Sequence, residues 1–379
     1  MKKKVGIITM HKVLNSGSAL QAWALYVKIE SLGYDCRIID YQYPNTYHSL
    51  RKILEKNSIS KKIKLLFCRL KYFILYRSKK QKEHFKSFWK ENWKETRYYS
   101  TREAILNDPP IFDVYVTGSD QVWNPKYTKG DSIFMCGFIK GKKKISYASS
   151  FAQNKIPDEL KNHYRDFLKE YSTIGVRESY GIKLVNELIG KKAEVVCDPT
   201  LLLEKSDYLR LAKKSSISIS EPYLLAYILD YAYNPFPKIQ EVINKIACEK
   251  KLKVIYLHAN SVDNYHLGCS ITSAGPCEFL NLFLNSSFIV TSSFHGTAFA
   301  LNFEKPFYTI VPSNIDMDNR IISLLKLVNA TERSITTKQD LNKWKDEEID
   351  YSVITPLLNR YRSDSITFLR KALSEDYEL

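Results

Sequence analysis

Five places in this chain set a reactive or charged side chain just past a short apolar run: Asn15 with Gly17, Asp120, Arg177, Asp198 and His295. In an open α/β sheet, residues at the carboxyl ends of strands converge on one crevice. His295 is the strongest single candidate. It sits in Ser292-Ser293-Phe294-His295-Gly296-Thr297, a strand-to-helix turn rich in hydrogen-bond donors, where Gly296 lets a ligand approach the backbone. Imidazole exchanges protons near neutral pH and serves as general acid or base; the competing reading is a hydrogen-bonded histidine that caps the sheet. Arg177, after Gly175-Val176, suits two-pronged recognition of a carboxylate or phosphate, or else a surface ion pair with Glu178. Asp120, in Gly118-Ser119-Asp120, either caps a helix or orients and deprotonates a substrate hydroxyl. Asp198-Pro199 reads chiefly as a strand terminator, and Arg320 is a further candidate anion ligand.

Other chemistries lack their signatures. There is no Gly-x-x-x-x-Gly-Lys-Ser/Thr loop, no intact Gly-x-Gly-x-x-Gly, no Gly-x-Ser-x-Gly and no His-Glu-x-x-His. The seven cysteines are scattered without close pairing, so neither a disulfide framework nor a zinc motif is indicated, and no metal is expected. The start, Met-Lys-Lys-Lys-Val-Gly-Ile-Ile-Thr-Met, is too short in apolar residues for a secretory signal, and no run approaches the roughly 18 needed to span a membrane. A cytoplasmic protein is expected.

The elements that must position these residues follow from periodicity. Val5–Thr9 is an apolar run, residues 19–32 have helical spacing that ends at Gly33, and Cys36–Tyr41 is a second buried strand, together a βαβ unit. Its loop opens onto a helix N-terminus, where backbone amides can hold an anion. Strands are predicted at 112–117 and from Lys144, with strand-to-loop transitions at 174–179 and 195–200. After a charged, Ser-rich connection at 204–221 a second alternation begins, with strands from Tyr223, Lys253, Phe288 and Pro306 and helices at 237–251 and 275–285. The expected fold is α/β: two doubly wound Rossmann-like domains, 1–205 and 206–335, facing a cleft, followed by a helical segment 336–379 that packs back on the first domain.

At 379 residues, 44% hydrophobic and 13% aromatic, the chain can fill two cores. Its net charge of +16 is concentrated: residues 50–100 hold about 16 Lys/Arg against about 4 Glu. Ile63, Leu66, Phe67, Leu70, Phe73 and Ile74 recur at helical intervals there, and Phe85, Phe88, Trp89 and Trp93 continue in a second pattern. Two readings stand. One is a basic helical insertion at an anionic membrane, its aromatics among the headgroups; the other is a helical hairpin packed on the first domain with its lysines solvated.

In order along the chain, several segments resemble the polysaccharide pyruvyl transferase family. They are Thr9-Met-His11, Asn15-Ser-Gly17-Ser-Ala-Leu-Gln21-Ala-Trp23, Gly118-Ser-Asp120-Gln121-Val-Trp123-Asn124, Val176-Arg177-Glu178, Asp198-Pro199-Thr200, Glu278-Phe279-Leu280 and Ser292-Ser-Phe-His295-Gly296-Thr297. The likeness spans roughly residues 4 to 335. It implies a two-domain fold like that of the glycosyltransferase-B enzymes, phosphoenolpyruvate as donor substrate with no cofactor, and a pyruvate ketal on a sugar as product. By position it implies His295 and Asp120 as catalytic residues, and Arg177, Ser292, Ser293, Gly296, Thr297 and Arg320 as donor-binding. His11, Asn15, Gly17, Gln21, Trp123 and Asn124 become acceptor or loop candidates. Some members carry an arginine where this chain has Ser293, so the donor's charge must here be met by Arg177, Arg320 or a lysine. A glycan carried on a lipid diphosphate would place the enzyme peripherally at the inner face of a membrane and give residues 50–100 a partner. The rivals are a nucleotide-sugar glycosyltransferase of similar fold and a basic membrane or nucleic-acid binder; no nucleic-acid-binding motif supports the latter.

Overall fold

The computed structural model describes residues 2–42, 79–230, 232–257, 268–314, 320–341 and 346–374. They build two parallel sheets of six strands each. The first holds β1 (Lys4–Ile8), β2 (Asp35–Ile38), β3 (Val114–Thr117), β4 (Lys143–Ser149), β5 (Thr173–Val176) and β6 (Glu194–Val195) in the order β2-β1-β3-β4-β5-β6. The second holds β7 (Tyr223–Tyr227), β8 (Lys253–Leu257), β9 (Cys269–Ile271), β10 (Phe288–Thr291), β11 (Phe307–Val311) and β12 (Ser334–Thr336) in the order β12-β11-β10-β7-β8-β9. Every pairing is parallel. A parallel neighbour needs a crossover, and central strands covered on both faces read as unbroken apolar runs. β3, β7, β10 and β11 are accordingly buried along their whole lengths. β9 and β12 went unseen in the sequence because each is a three-residue edge strand, Cys-Ser-Ile and Ser-Ile-Thr, with no such run.

The order of each sheet reverses once, between β1 and β3 in the first and between β7 and β10 in the second. Crevices form outside the carboxyl ends of strands at such switch points. The helix α1 (Ser16–Ser31) leaves the first switch point. It is buried on every side from Ser16 to Tyr26, because one side covers the first sheet while the other meets the second half of the chain. An apolar girdle of Ala19, Leu20, Ala22, Trp23, Ala24 and Leu25 matches that setting.

The helix α2 (Lys79–Asn92) carries the second aromatic pattern of the basic segment, and here the membrane reading of those rings is corrected. Phe85 and Phe88 are fully or nearly fully buried, as is Trp93 just beyond, and Trp89 packs against the same core. The helix lies on α7 (Pro276–Asn285) of the second half. Its exposed positions are Lys79, Lys80, Glu83, Lys86, Ser87, Lys90 and Glu91. Periodicity was read correctly, but it cannot tell a protein core from a lipid surface. The first amphipathic pattern, Ile63 to Ile74, lies outside the described residues.

The terminal helix α10 (Tyr351–Ser374) touches both halves. Tyr351 donates its hydroxyl to the carbonyls of Ala300 and Lys305, while Ser365 Oγ accepts from Cys197 N and Phe368 packs near Tyr147 of β4. Arg362 donates to Leu201 O and to Asn302 Oδ1, tying a turn of the first half to α8 (Phe294–Asn302) of the second. Asn302 itself donates to the carbonyls of Thr200 and Leu203. No described helix is long and apolar enough to cross a membrane.

Candidate active site

Asp198 is the hub where the two halves meet, immediately after β6. One carboxylate oxygen, Oδ1, accepts from the backbone N–H and hydroxyl of Thr200. The other, Oδ2, accepts from Ser119 Oγ at 3.0 Å and Arg177 Nη1 at 3.0 Å, and lies 3.7 Å from His295 Nε2. The group is completely buried. Burial alone would raise its pKa, but His295, Arg177 and the Thr200 N–H outweigh it and hold the carboxyl well below the usual carboxylate range. Asp198 is thus an ionised counter-charge shared by a guanidinium and an imidazole. Reading it as a strand terminator missed this, because Arg177, Ser119 and His295 are separated from it by 21 to 97 positions in the chain.

Asp120 follows β3 and does not cap a helix. Its φ of 73° puts it in the left-handed region, a conformation that non-glycine residues hold at functional sites at some cost. Ser18 Oγ of α1 donates to its Oδ2 at 2.5 Å, its Oδ1 accepts from Gln121 N, and Arg177 Nη2 stands 3.8 Å from Oδ1. Arg177 therefore lies between Asp120 and Asp198, 4% exposed, with Nε and Nη2 lacking any hydrogen-bond partner among the described residues. The surface ion pair with Glu178 does not form. Glu178 turns away to accept from the backbone N–H groups of Phe151 and Ala152.

His295 enters from the first turn of α8, which Ser293 caps by accepting from Gly296 N. Its Nε2 is buried and has no hydrogen-bond partner among the described residues. The imidazole packs directly on Gly17 in the first turn of α1: a Cβ there would fall 2.3 Å from His295 Nδ1. Only glycine permits this approach of α1 to α8. Phe294, the residue before, stacks against two guanidinium groups, with Arg177 at 4.6 Å and Arg320 at 5.9 Å from its ring centroid. The structure thus gathers Gly17, Asp120, Arg177, Asp198, His295 and Arg320 into one buried cluster. Ser18, Ser119 and Phe294 join them, and they carried no sequence signal beyond lying next to the candidates.

The other candidates do structural work. Gly296 approaches Thr291 and Tyr227 of its own half, and a Cβ would lie 2.3 Å from Thr291 Oγ1, so its smallness serves helix–sheet packing. Thr297 donates to Ser293 O and Thr309 Oγ1, and Ser292 Oγ is engaged by both backbone groups of Leu229. Asn15 caps α1, Gln21 donates to Thr9 Oγ1 and Ser18 O, and Asn124 caps the short turn after it. Trp123 is wholly buried and donates to Phe134 O. His11 lies on the loop after β1, 1% exposed, facing Asp40 and Glu95.

Two Rossmann-like sheets with an imidazole, two carboxylates and two guanidinium groups at their facing carboxyl ends define a protein of the two-domain α/β class. The family model for polysaccharide pyruvyl transferase matches residues 15–314, and the chain belongs to that family. It is a transferase of polysaccharide biosynthesis. None of the curated proteins compared with the chain matches it. Among solved structures it is similar to the UDP-N-acetylglucosamine 2-epimerase from Rickettsia bellii, at 12% identity and a TM-score of 0.47, over 99% of this chain and 96% of that one. It is similar also to the UDP-GlcNAc 2-epimerase from Methanocaldococcus jannaschii, at 13% identity and a TM-score of 0.49, over 95% and 92% of the two chains. A glycosyltransferase from Rickettsia africae aligns over 98% and 97% of the chains, with 12% identity and a TM-score of 0.43.

Proposed function

We propose that the enzyme transfers the enolpyruvyl group of phosphoenolpyruvate to two hydroxyls of a glycan sugar, forming a pyruvate ketal. The observation that carries this reading is the buried, unpartnered edge of Arg177 beside the unpartnered His295 Nε2, both backed by Asp198. Desolvated donors without partners are costly unless a ligand satisfies them, and a carboxylate or phosphate matches a guanidinium edge. Arg320, against the same phenyl ring, supplies the second positive charge that a donor with both groups needs, in place of an arginine at Ser293.

The chemistry then follows with atoms balanced. Protonated His295 gives its proton to the methylene carbon of phosphoenolpyruvate, converting CH2 to CH3 and leaving an oxocarbenium-like C2. Asp198 supplies the negative charge an imidazolium needs nearby. A sugar hydroxyl attacks C2 and its proton passes to Asp120. The C2–phosphate bond breaks, a second hydroxyl closes the ketal, and its proton leaves with the phosphate. Asp120 then releases its proton and His295 is recharged from solvent.

The acceptor in this proposal is a glycan on a lipid diphosphate at the inner membrane face, which the lysines of α2 and the basic segment before it would approach. The deciding experiment is mass spectrometry of such a glycan incubated with phosphoenolpyruvate. A mass gain of one pyruvyl ketal, with one phosphate released and both lost in His295→Ala, is expected. Phosphate-independent transfer from a nucleotide sugar would overturn the reading in favour of a glycosyltransferase.

A further inference from the structure

Beneath the loop that joins β1 to α1 lies a second polar cluster, formed by His11, Asp40 and Glu95, that the reaction does not use. His11 follows β1, Asp40 follows β2, and Glu95 follows α2. Thr9 O lies 3.1 Å from His11 Nδ1, and a carbonyl only accepts, so Nδ1 carries the hydrogen and Nε2 is the free ring nitrogen. That nitrogen looks onto Asp40 Oδ1 at 3.3 Å and Glu95 Oε1 at 3.8 Å. His11 is 1% and Asp40 5% exposed, yet neither Nε2 nor Oδ1 has a hydrogen-bond partner among the described residues. At 3.3 Å the oxygen is close enough for a hydrogen bond, but it lies off the axis along which Nε2 would point a hydrogen. A proton on Nε2 would therefore leave the pair poorly satisfied, and two facing lone pairs in a buried site demand a cation.

Lys12 does not fill this role. Its ammonium takes the outer oxygens, Asp40 Oδ2 at 2.6 Å and Glu95 Oε2 at 2.7 Å, and does not engage the inner oxygens that face His11. Bridging the two carboxylates in this way, Lys12 holds them side by side. Trp93 Nε1 donates to Glu95 Oε1 at 2.7 Å and steadies the third group.

We propose that His11 Nε2, Asp40 Oδ1 and Glu95 Oε1 bind a divalent, zinc-class ion that pins the loop between β1 and α1. Ligands held about 2.0–2.1 Å from a tetrahedral ion stand about 3.3–3.4 Å apart, which is the His11–Asp40 spacing; Glu95, 23% exposed, has to move inward, its oxygen lying 3.8 Å from His11 Nε2 and the three ligand atoms within 4.8 Å of one another. A nitrogen and two carboxylate oxygens suit zinc or its neighbours, with water as the fourth ligand. The backbone carbonyl on Nδ1 is the outer partner that a metal-bound histidine ordinarily has. The ion's place is structural: it fixes the loop that delivers Gly17 to His295 and Ser18 to Asp120.

The test is metal binding by the full chain after chelation and dialysis, with Zn2+ followed by calorimetry and Co2+ by visible absorption. One ion per chain is expected, with d–d bands and no thiolate charge transfer, since the exposed Cys248 and Cys269 could otherwise bind it. Asp40→Asn and Glu95→Gln should lose that binding, and Lys12→Met should tighten it at least tenfold by removing a competing charge. Zn2+ should raise the Tm of the wild type but not of Glu95→Gln, whose partly exposed position lets it fold if Asp40→Asn does not. Binding that is absent, that shows only thiolate signatures, or that is unchanged in Glu95→Gln would overturn the site.

Discussion

Asp198 shows what one residue can do when several elements share it. Its carboxylate neutralises Arg177 and faces His295 while three protein groups besides Arg177 hydrogen-bond to it. Replacing it by Asn keeps the shape but leaves Arg177 buried beside Asp120 alone at 3.8 Å. Breaking a buried pair from one side costs about 3–5 kcal/mol, so Asp198→Asn should lose about that much stability in urea unfolding. The pH dependence has a definite sign. Because the folded pKa is depressed, the stabilisation from Asp198 is fully present above the unfolded value, roughly pH 4, and is lost only as pH falls through the lower folded value. The stability gap between wild type and Asp198→Asn should therefore be flat from neutral pH to about pH 5 and close only in stronger acid. His295→Ala should behave in the opposite manner. It leaves the closer Arg177–Asp198 pair in place, so stability should fall less than in Asp198→Asn, yet turnover should fall by about 10²–10⁴-fold, the usual contribution of a general acid. At this scale the sequence was legible where a side chain's type announces its chemistry, as for His295 and Arg177. It failed for Asp198, since an Asp-Pro pair looks alike whether it ends a strand or anchors a site.

Elements bring these side chains together, and the contact of α1 with α8 is the tightest case. Gly17 sits in the first turn of α1 against the ring of His295, and Ser18 beside it holds Asp120. Gly17→Ala would place a methyl group 2.3 Å from Nδ1, so either the ring or the helix must move. A displacement of about 1 Å at a reacting group costs on the order of 100-fold in rate, and kcat of Gly17→Ala should drop by about that factor. Helicity by circular dichroism should stay unchanged, because alanine favours a helix more than glycine does. Unaltered kcat would mean that His295 is not where the proton is given. Both helices and the central strands were legible from periodicity. Their mutual contact was not, since Gly17 and His295 lie far apart in sequence and nothing local records a glycine's neighbour. The edge strands β9 and β12 escaped for the opposite reason: their pattern is too short to register. His11, Asp40 and Glu95 likewise have no shared spacing, which is why no metal site could be read from the chain.

The whole molecule adds one asymmetry, its concentrated positive charge. The sequence reading let the aromatics of residues 85–93 enter a membrane, but Phe85 and Phe88 are core residues that seat α2 on α7. What this helix offers outward is polar and net positive, with Lys79, Lys86 and Lys90 exposed beside Lys80, Glu83, Ser87 and Glu91. Any attraction of α2 to a membrane is then electrostatic and falls off within a Debye length, about 10 Å at 0.1 M salt. A lysine near an anionic surface contributes about 1 kcal/mol, so neutralising all three to Gln should weaken binding to phosphatidylserine vesicles by about 100-fold at low salt. The same substitutions should leave ketal formation on a water-soluble acceptor unchanged, because none of the three lies in the crevice. Co-sedimentation across a salt series checks both the loss and its steep ionic-strength dependence. Equal binding by wild type and the triple variant would mean that α2 does not face the membrane and that its lysines are merely solvated.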